Sequence, residues 1–550
     1  MSMSTIAPSG WALSITLTLS LGLSGCQHLP DQPHLSASQV LSSRVSELYQ
    51  ANNTPPSALT DNKNTLNNST TDLAAAISAQ NEIHPDLSGY HPIVTGVDAF
   101  ASRSILTGMA TRHIDVQYYI WHNDQSGQLL LKDLWMAAER GVIVRLLLDD
   151  LDTKAAFDQH LLRFSSHPNI AVRIVNPLMH RKFKSLNFVT GLPRINRRMH
   201  NKSMTFDRQI TIIGGRNIGD EYMSNDQNSQ FADLDVLLIG KVVADIDNSF
   251  ARYWSAPISF DIETVATLDK NATRDFLLGL DKLEEEEKNG TRSSLSLYKT
   301  AVDNSSIDAD LIHRRIPFRW TDMQFLDDDV GKLTKSVPTS TNLVAQLRTL
   351  LGRPTKKLSI ISSYFVPTSD GVKTLIALAD AGIDIKILTN SFDATDVTAV
   401  HSSYSHWRPE LLRAGIKIYE LKATASVEER DNKRWRSRSQ SSTSLHAKTF
   451  AVDDHQVFIG SYNVDPRSAN MNTELGVLIN DDELARQVHE SLSDNLLSQA
   501  YEVKLTDNNQ LQWHTIENGE NVILESEPRV GFTDYVWLKV MSWLPIDWLM

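Results

Sequence analysis

The chain has 550 residues, room for several domains, and a globular composition with 41% hydrophobic and 22% charged residues. A formal net charge of −13 and a pI near 5.7 argue against a protein that wraps nucleic acid. The single cysteine, Cys26, excludes any intramolecular disulfide.

Trp11 to Leu23 is an apolar run of signal-peptide length, too short for an ordinary transmembrane helix. Leu23-Ser24-Gly25-Cys26 follows it and resembles a bacterial lipobox, in which cleavage after residue 25 leaves Cys26 as a lipidated N-terminus. The alternative is a free core thiol after a short apolar stretch. Met1 to Gly10 has no Lys or Arg, so the usual positive start of a signal peptide is missing. Gln27 in place of Asp implies sorting to the outer membrane, with the inner membrane as the alternative. Residues 26–88 are rich in Ser, Asn, Thr and Gln and read as a tether.

From residue 89 onward, apolar β-rich runs alternate with helical patterns, which predicts an α/β layer fold. The pattern occurs twice. In the first round a strand over His113–His122 precedes a helix over Gly127–Arg140 and a strand over Val142–Asp150. In the second, Lys357–Pro367 precedes a helix over Gly371–Ala381 and a strand over Ile383–Ser391. Gly141 and Gly382 stop the two helices. This is an internal duplication of about 200 residues, not a short-period solenoid. The halves are expected over 89–325 and 326–505, with a tail over 506–550. A charged insert, Leu283–Ser296, reads as a solvated helix end and loop. Glu428–Thr443, basic at Lys433, Arg434, Arg436 and Arg438, reads either as an exposed loop or as a basic lip over an anionic substrate.

Each round ends in the same pattern, His-x-Lys-x-x-x-x-Asp. The first copy is His200, Lys202 and Asp207; the second is His446, Lys448 and Asp453. One copy is a weak signal. The context repeats too: Gly214-Gly215-Arg216-Asn217 follows the first and Gly460-Ser461-Tyr462-Asn463 the second. Each block is then followed by a predicted strand that opens with an acid, Asp233 or Glu474.

Alternate residues of a strand share a face, so each His and Lys pair points one way. Packing about a pseudo-twofold brings both pairs into one pocket at the interface of the halves. Two lysines, with Asn217 and Asn463 as neutral donors, suit the charged oxygens of a phosphodiester and its transition state. Two histidines supply one nucleophile and one general acid. Carboxylates behind the rings fix their tautomers. The lysines already provide positive charge, so the pattern needs no metal, and no other cofactor is implied.

These twin blocks resemble the phospholipase D superfamily, over most of residues 90–505. The resemblance implies an α/β fold of two tandem phospholipase D-like α/β/α halves and a phosphohistidine intermediate. It implies His200 as nucleophile and His446 as general acid and then base, although the sequence is symmetric on that point. Lys202, Lys448, Asn217 and Asn463 would bind phosphate, Asp233 and Glu474 would orient the histidines, and Asp207 and Asp453 would act as braces more than as proton carriers. Gln117-YYIWHND, Asn196-RRMHNK, Gly214-GRNIGDEY and Trp320-TDMQFLDDD are similar to the bacterial cardiolipin synthase C group.

Tyr535–Met550 carries Trp537, Trp543 and Trp548 with few charges. Such a segment suits either a membrane interface or packing on the body of the protein. The expected activity is transfer of a phosphatidyl group to phosphatidylglycerol, with phosphatidylethanolamine as a candidate donor, at a membrane surface on the periplasmic side of a bacterial envelope. Exchanging one phosphodiester for another needs no ATP. Hydrolysis to phosphatidic acid is the alternative, followed by a nuclease and by a lipoprotein that binds phospholipid without turnover; nucleic acid is not an expected partner.

Overall fold

The structure, a computed structural model, describes residues 73–151, 155–181, 192–223, 233–268, 293–335, 337–395, 397–423 and 444–530, with Asn187 and Glu285. Cys26, the basic stretch 428–443, most of the charged insert and the three tail tryptophans lie outside the described residues.

The strands of the first sheet are β1 (Ser88–Ile93), β2 (His113–Tyr118), β3 (Ile143–Asp149), β4 (Ile170–Val175), β5 (Ser203–Phe206), β6 (Ile210–Gly214), β7 (Asp235–Gly240), β8 (Ser259–Asp261) and β9 (Arg319–Thr321). Their order is β8-β4-β3-β2-β5-β6-β7-β1-β9. The second sheet contains β10 (Met323–Asp327), β11 (Lys357–Ser362), β12 (Asp384–Asn390), β13 (Lys417–Leu421), β14 (Lys448–Val452), β15 (Gln456–Gly460), β16 (Leu475–Asn480), β17 (Ala500–Leu505), β18 (Leu511–Glu517) and β19 (Glu520–Leu524). Their order is β10-β16-β15-β14-β11-β12-β13-β17-β18-β19.

Read from opposite ends, the two orders match strand for strand over eight positions. β2, β3 and β4 run parallel, as do β11, β12 and β13, while the strands that carry the motifs pair antiparallel beside them. Parallel strands buried on both faces need near-continuous apolar sequence, and β3 meets this with all seven residues buried. The expected helices form at Gln125–Glu139 and Ser369–Asp380, capped by Asp124 and Thr368. Gly141 (φ 96°) and Gly382 (φ 89°) end them in the left-handed region that favours glycine.

Three boundaries differ from the sequence-based expectation. A helix forms at Leu73–Asn81, inside the expected tether, because Leu73 and Ile77 are fully buried in the first half's core. The chain leaves the first sheet at Thr321 and enters the second at Met323, just before the expected boundary. β18 and β19 extend the second sheet into the expected tail, with Trp513 buried.

A shared core joins the halves. Ile213, Val236, Leu238 and Val243 of the first pack with Ile361, Ile459, Val477 and Leu484 of the second. Burial of this kind stabilises by about 25 cal/mol per Å² of apolar surface, and it fixes one half against the other.

Candidate active site

Both motifs enter their strands from irregular chain: β5 begins only at Ser203 and β14 at Lys448. His200 and Lys202 therefore precede the strand they were expected to occupy. They are tied together all the same. Lys202 Nζ donates to the His200 carbonyl at 2.8 Å, and Lys448 Nζ donates to the His446 carbonyl. Each ammonium is thereby turned back beside its own histidine.

The two halves complete each other. His200 Nδ1 lies 2.8 Å from Glu474 Oε2, and His446 Nδ1 lies 2.7 Å from Asp233 Oδ2. Each histidine is oriented by the acid of the opposite half. The backbone reinforces the first pair: His200 N donates to Thr473 O at 2.9 Å, and Thr473 N donates to Arg198 O at 3.0 Å. Arg198, fully buried, is held in turn by Asp149 at the end of β3. Asp233 and Glu474 lie just before their strands, not at the first residue. Each carboxylate is therefore aimed across the interface from a strand entry.

The close approach of Asp233 explains Gly215. A Cβ there would stand 2.1 Å from Asp233 Oδ1. The equivalent residue in the second half is Ser461, whose Oγ donates to Glu474 Oε2 and whose backbone N–H is bonded to Leu475 O.

Electrostatics distinguishes the two dyads. Burial, then Lys202 and Lys448, push His200 well below the ordinary imidazole value. Burial raises Glu474 to about 7, against the pull of Lys202. Both shifts favour a neutral pair. In the other dyad burial and Lys448 hold His446 at about 4, while the Asp233 carboxylate opposes them. Burial alone would raise Asp233, but His446, Lys448 and Arg216 outweigh it and bring the carboxyl down to about 2. Asp233 is thus ionised. His446 is also the more exposed ring, at 22% of its side chain against 9% for His200. Lys202 is 1% exposed, and burial with the neighbouring Lys448 lowers it well below the ordinary lysine value. Two buried lysines within electrostatic reach of each other suit an anion.

The asparagines differ in their partners. Asn217 Oδ1 accepts from Ile120 N at 3.3 Å. Its Nδ2 is buried with no protein partner among the described residues, so it remains a donor for a ligand. Asn463 Oδ1 accepts from Ser363 Oγ at 2.8 Å, and the same hydroxyl receives a bond from Lys448.

Asp207 and Asp453 stand elsewhere. Asp207 accepts from the backbone N–H groups of Thr111, Arg112 and His113 at 2.8–2.9 Å, and Asp453 from those of Thr355, Lys356 and Lys357 at 2.7–3.1 Å. Both have left-handed backbone, at φ 49° and 51°. They close the turn at the far end of the motif strand and touch neither histidine.

Sequence reasoning missed the aromatic walls. Tyr119 meets His200 edge-on at 4.9 Å between ring centroids and lies 5.4 Å from Lys202 Nζ; Tyr222 meets His446 at 5.1 Å. Both tyrosines come from the first half. They stood in the quoted Gln117-YYIWHND and Gly214-GRNIGDEY stretches, but nothing in their spacing sets them apart from core aromatics. Among the described residues one cluster has metal-ligand geometry: His113, Asp115 and Asp247, at the opposite end of β2. Arg145 already holds Asp115 with two bonds of 2.6 Å, and Arg208 faces Asp247, so cations are supplied by the protein.

The family described as "Cardiolipin synthase, PLD-like domain" matches residues 106–254 and 347–496, one range in each half. Cardiolipin synthase C of Escherichia coli (strain K12) is 38% identical over 478 residues, covering 87% of this chain and 99% of that protein. An uncharacterized protein of Helicobacter pylori (strain 26695) is 33% identical over 470 residues, covering 84% of this chain and 90% of that protein. Among solved structures, a phosphatidylserine synthase of Haemophilus influenzae superposes with a TM-score of 0.53 at 13% identity, over 86% of this chain and 98% of that one, which is a likeness of fold. With the matching ranges over both halves and the relative matched along nearly its whole length, the chain belongs to the phospholipase D superfamily, in its cardiolipin synthase-like family.

Proposed function

We propose that the protein is a phosphatidyltransferase of the cardiolipin synthase type, which moves a phosphatidyl group to a hydroxyl of phosphatidylglycerol through a phosphohistidine. The observation that carries this reading is the pair of crossed histidine–acid dyads around two buried lysines. The name of the Escherichia coli relative supports the lipid substrate.

In this reading neutral His200 attacks phosphorus through Nε2, while its Nδ1–H stays on Glu474. His446, charged in the bound state and braced by ionised Asp233, gives its Nε2 proton to the leaving alcohol oxygen as the P–O bond breaks. The acceptor hydroxyl then returns a proton to His446, its oxygen bonds to phosphorus, and the P–N bond to His200 breaks. Lys202, Lys448 and the Asn217 amide hold the non-bridging oxygens, where charge is greatest in the transition state. The difference between the dyads supports this division of roles. The lysines make a metal unnecessary. Lipid attachment at Cys26, on the periplasmic face of the outer membrane, belongs to the same reading; loss of labelled fatty acid in Cys26→Ser checks it.

The test is lipid mass spectrometry in chelator, with phosphatidylglycerol vesicles, with and without phosphatidylethanolamine. Wild-type protein alone should form cardiolipin, and His200→Ala and His446→Ala none. Phosphatidic acid without cardiolipin would favour the hydrolytic reading. Cardiolipin from either variant would overturn the mechanism.

A further inference from the structure

The two histidine–acid dyads share one front. Lys202 and Lys448 face both rings, and Arg467 adds a further cation on the His200 side. The two acids, however, are backed differently. Arg216 is the third residue of Gly-Gly-Arg-Asn, where the second block has Tyr462. Buried at 2% exposure, Arg216 donates to the Asp233 carbonyl at 2.7 Å and to the Ile93 carbonyl at 3.1 Å. It also stands 3.6 Å from Asp235, which Arg103 holds at 2.8 Å. All three side chains are buried. Two guanidinium groups thus flank one carboxylate, and the excess charge behind Asp233 is positive.

Behind Glu474 stands an acid instead. Asp328 directly follows β10, in the Trp320-TDMQFLDDD stretch, and takes no part in the chemistry above. Its Oδ2 accepts from Glu474 N at 3.0 Å, and its own N donates to Glu474 O at 3.0 Å. Lys332 Nζ donates to the same carboxylate at 2.8 Å and to Ser468 O at 3.0 Å. Ser468 N and Oγ donate in turn to Asp465 at 2.7 and 3.3 Å. Here two buried carboxyls share one buried ammonium. Burial raises Asp328 to about 6 and Asp465 to about 7, and Glu474 repels both. The chain just past β1, the counterpart of β10, offers Val94 and Thr95 at this station and no acid.

We propose that the buried clusters behind the two acids, cationic in Arg103–Asp235–Arg216 and acidic in Asp328–Lys332–Asp465, make the dyads inequivalent, with Arg216 and Asp328 as positioning residues that fix which histidine carries the proton and which one attacks. The inference deepens the transferase reading above and rests on it for these two roles. A carboxylate beside an excess of cations stays ionised, so His446 can carry a proton as half of an ion pair. A carboxyl set among other carboxyls keeps its proton and gives an imidazolium little support. His200 therefore stays neutral, with its Nε2 lone pair available for phosphorus. A duplicated site acquires a direction from residues that do not touch the substrate.

The test uses the full chain and two measurements. The first needs no lipid: deuterium exchange at the imidazole C2 position, read by mass spectrometry against pH, titrates each histidine separately. Arg216→Gln removes the cation and should raise the His446 midpoint by about half a pH unit or more. Arg216→Lys keeps the charge and should leave that midpoint nearly in place. The second measurement is kcat for cardiolipin formation on phosphatidylglycerol vesicles, per folded molecule. Asp328→Asn should lower it by roughly tenfold or more, but by less than about threefold when Glu474 is already Gln. Arg216→Gln should behave in the same way toward Asp233→Asn. A role in folding alone gives the full loss in both backgrounds and leaves the His446 midpoint where it was; either result would overturn the proposal. Should Arg216→Gln not fold, the Asp328 cycle decides. The His446 midpoint is read without turnover, so failure of the transferase reading leaves that measurement standing.

Discussion

His200 and Glu474 are 274 residues apart in sequence and 2.8 Å apart in space, and the bond between them crosses from one half of the molecule to the other. His446 and Asp233 repeat the crossing in the reverse direction. Such reciprocity is what duplicated halves produce when each lends an acid to the other's histidine. It also means that neither duplicated half holds a complete dyad. An oriented histidine at this site exists only while the shared core keeps the halves in register.

The crossed dyads lead to a first prediction. Glu474→Gln and Asp233→Asn keep the shape and remove the acid, so each should lower kcat by roughly 10²- to 10⁴-fold, the range set by tautomer control in comparable dyads. His446→Ala combined with Asp233→Asn should be little worse than His446→Ala alone, because the two act as one unit. Vesicle assays of cardiolipin formation check this. A loss under threefold in both single variants would show that the acids do not orient the rings.

Much of this was legible in the sequence. The duplication is written in the repeated strand–helix–strand rounds, and the two motifs name His200, Lys202, His446 and Lys448 without a structure. The acids were legible as Asp233 and Glu474, but their partners were not, because a contact between halves leaves no local periodicity. The strap of Thr473 on Met199 and the aromatic walls of Tyr119 and Tyr222 are long-range in the same way. The helix at Leu73–Asn81 was missed for a different reason: its only large apolar residues, Leu73 and Ile77, carry little signal until they find the core of the first half.

Binding of a phosphate oxyanion should take up protons at neutral pH. Burial and lysine repulsion hold His446 at about 4 and Lys202 well below its ordinary value. An anion beside His446 opposes that repulsion and raises the imidazole toward neutrality, so the uptake is read on this ring. Calorimetry with vanadate or inorganic phosphate, in two buffers of different ionisation enthalpy, measures the uptake. A binding enthalpy that does not depend on the buffer would count against it.

Asp207 should behave unlike the other members of its motif. Asp207→Ala leaves three part-buried backbone N–H groups without their acceptor, at a cost of about 1–3 kcal/mol in all. Thermal unfolding should shift down by several degrees, while kcat per folded molecule stays within about tenfold of wild type. A loss as deep as that of His200→Ala, with unchanged stability, would place Asp207 in the chemistry.

The last prediction concerns the charge of Glu474, and its sign can be worked out. Its folded pKa, about 7, exceeds the ordinary 4.5, chiefly through burial. Between those values the native state binds more proton at this group than the unfolded chain does. The stability contributed by Glu474 is therefore full below about pH 4.5 and is lost as pH rises through 7, by about 3 kcal/mol in all. The lowered histidines work in the opposite direction across the same window, since their native forms resist protonation. A difference between two proteins isolates the carboxyl. Relative to wild type, Glu474→Gln should gain stability on going from about pH 5 to about pH 8, read by urea unfolding at each pH. If the variant instead loses ground as pH rises, Glu474 is an ionised partner of a charged His200, and the roles of the two histidines exchange.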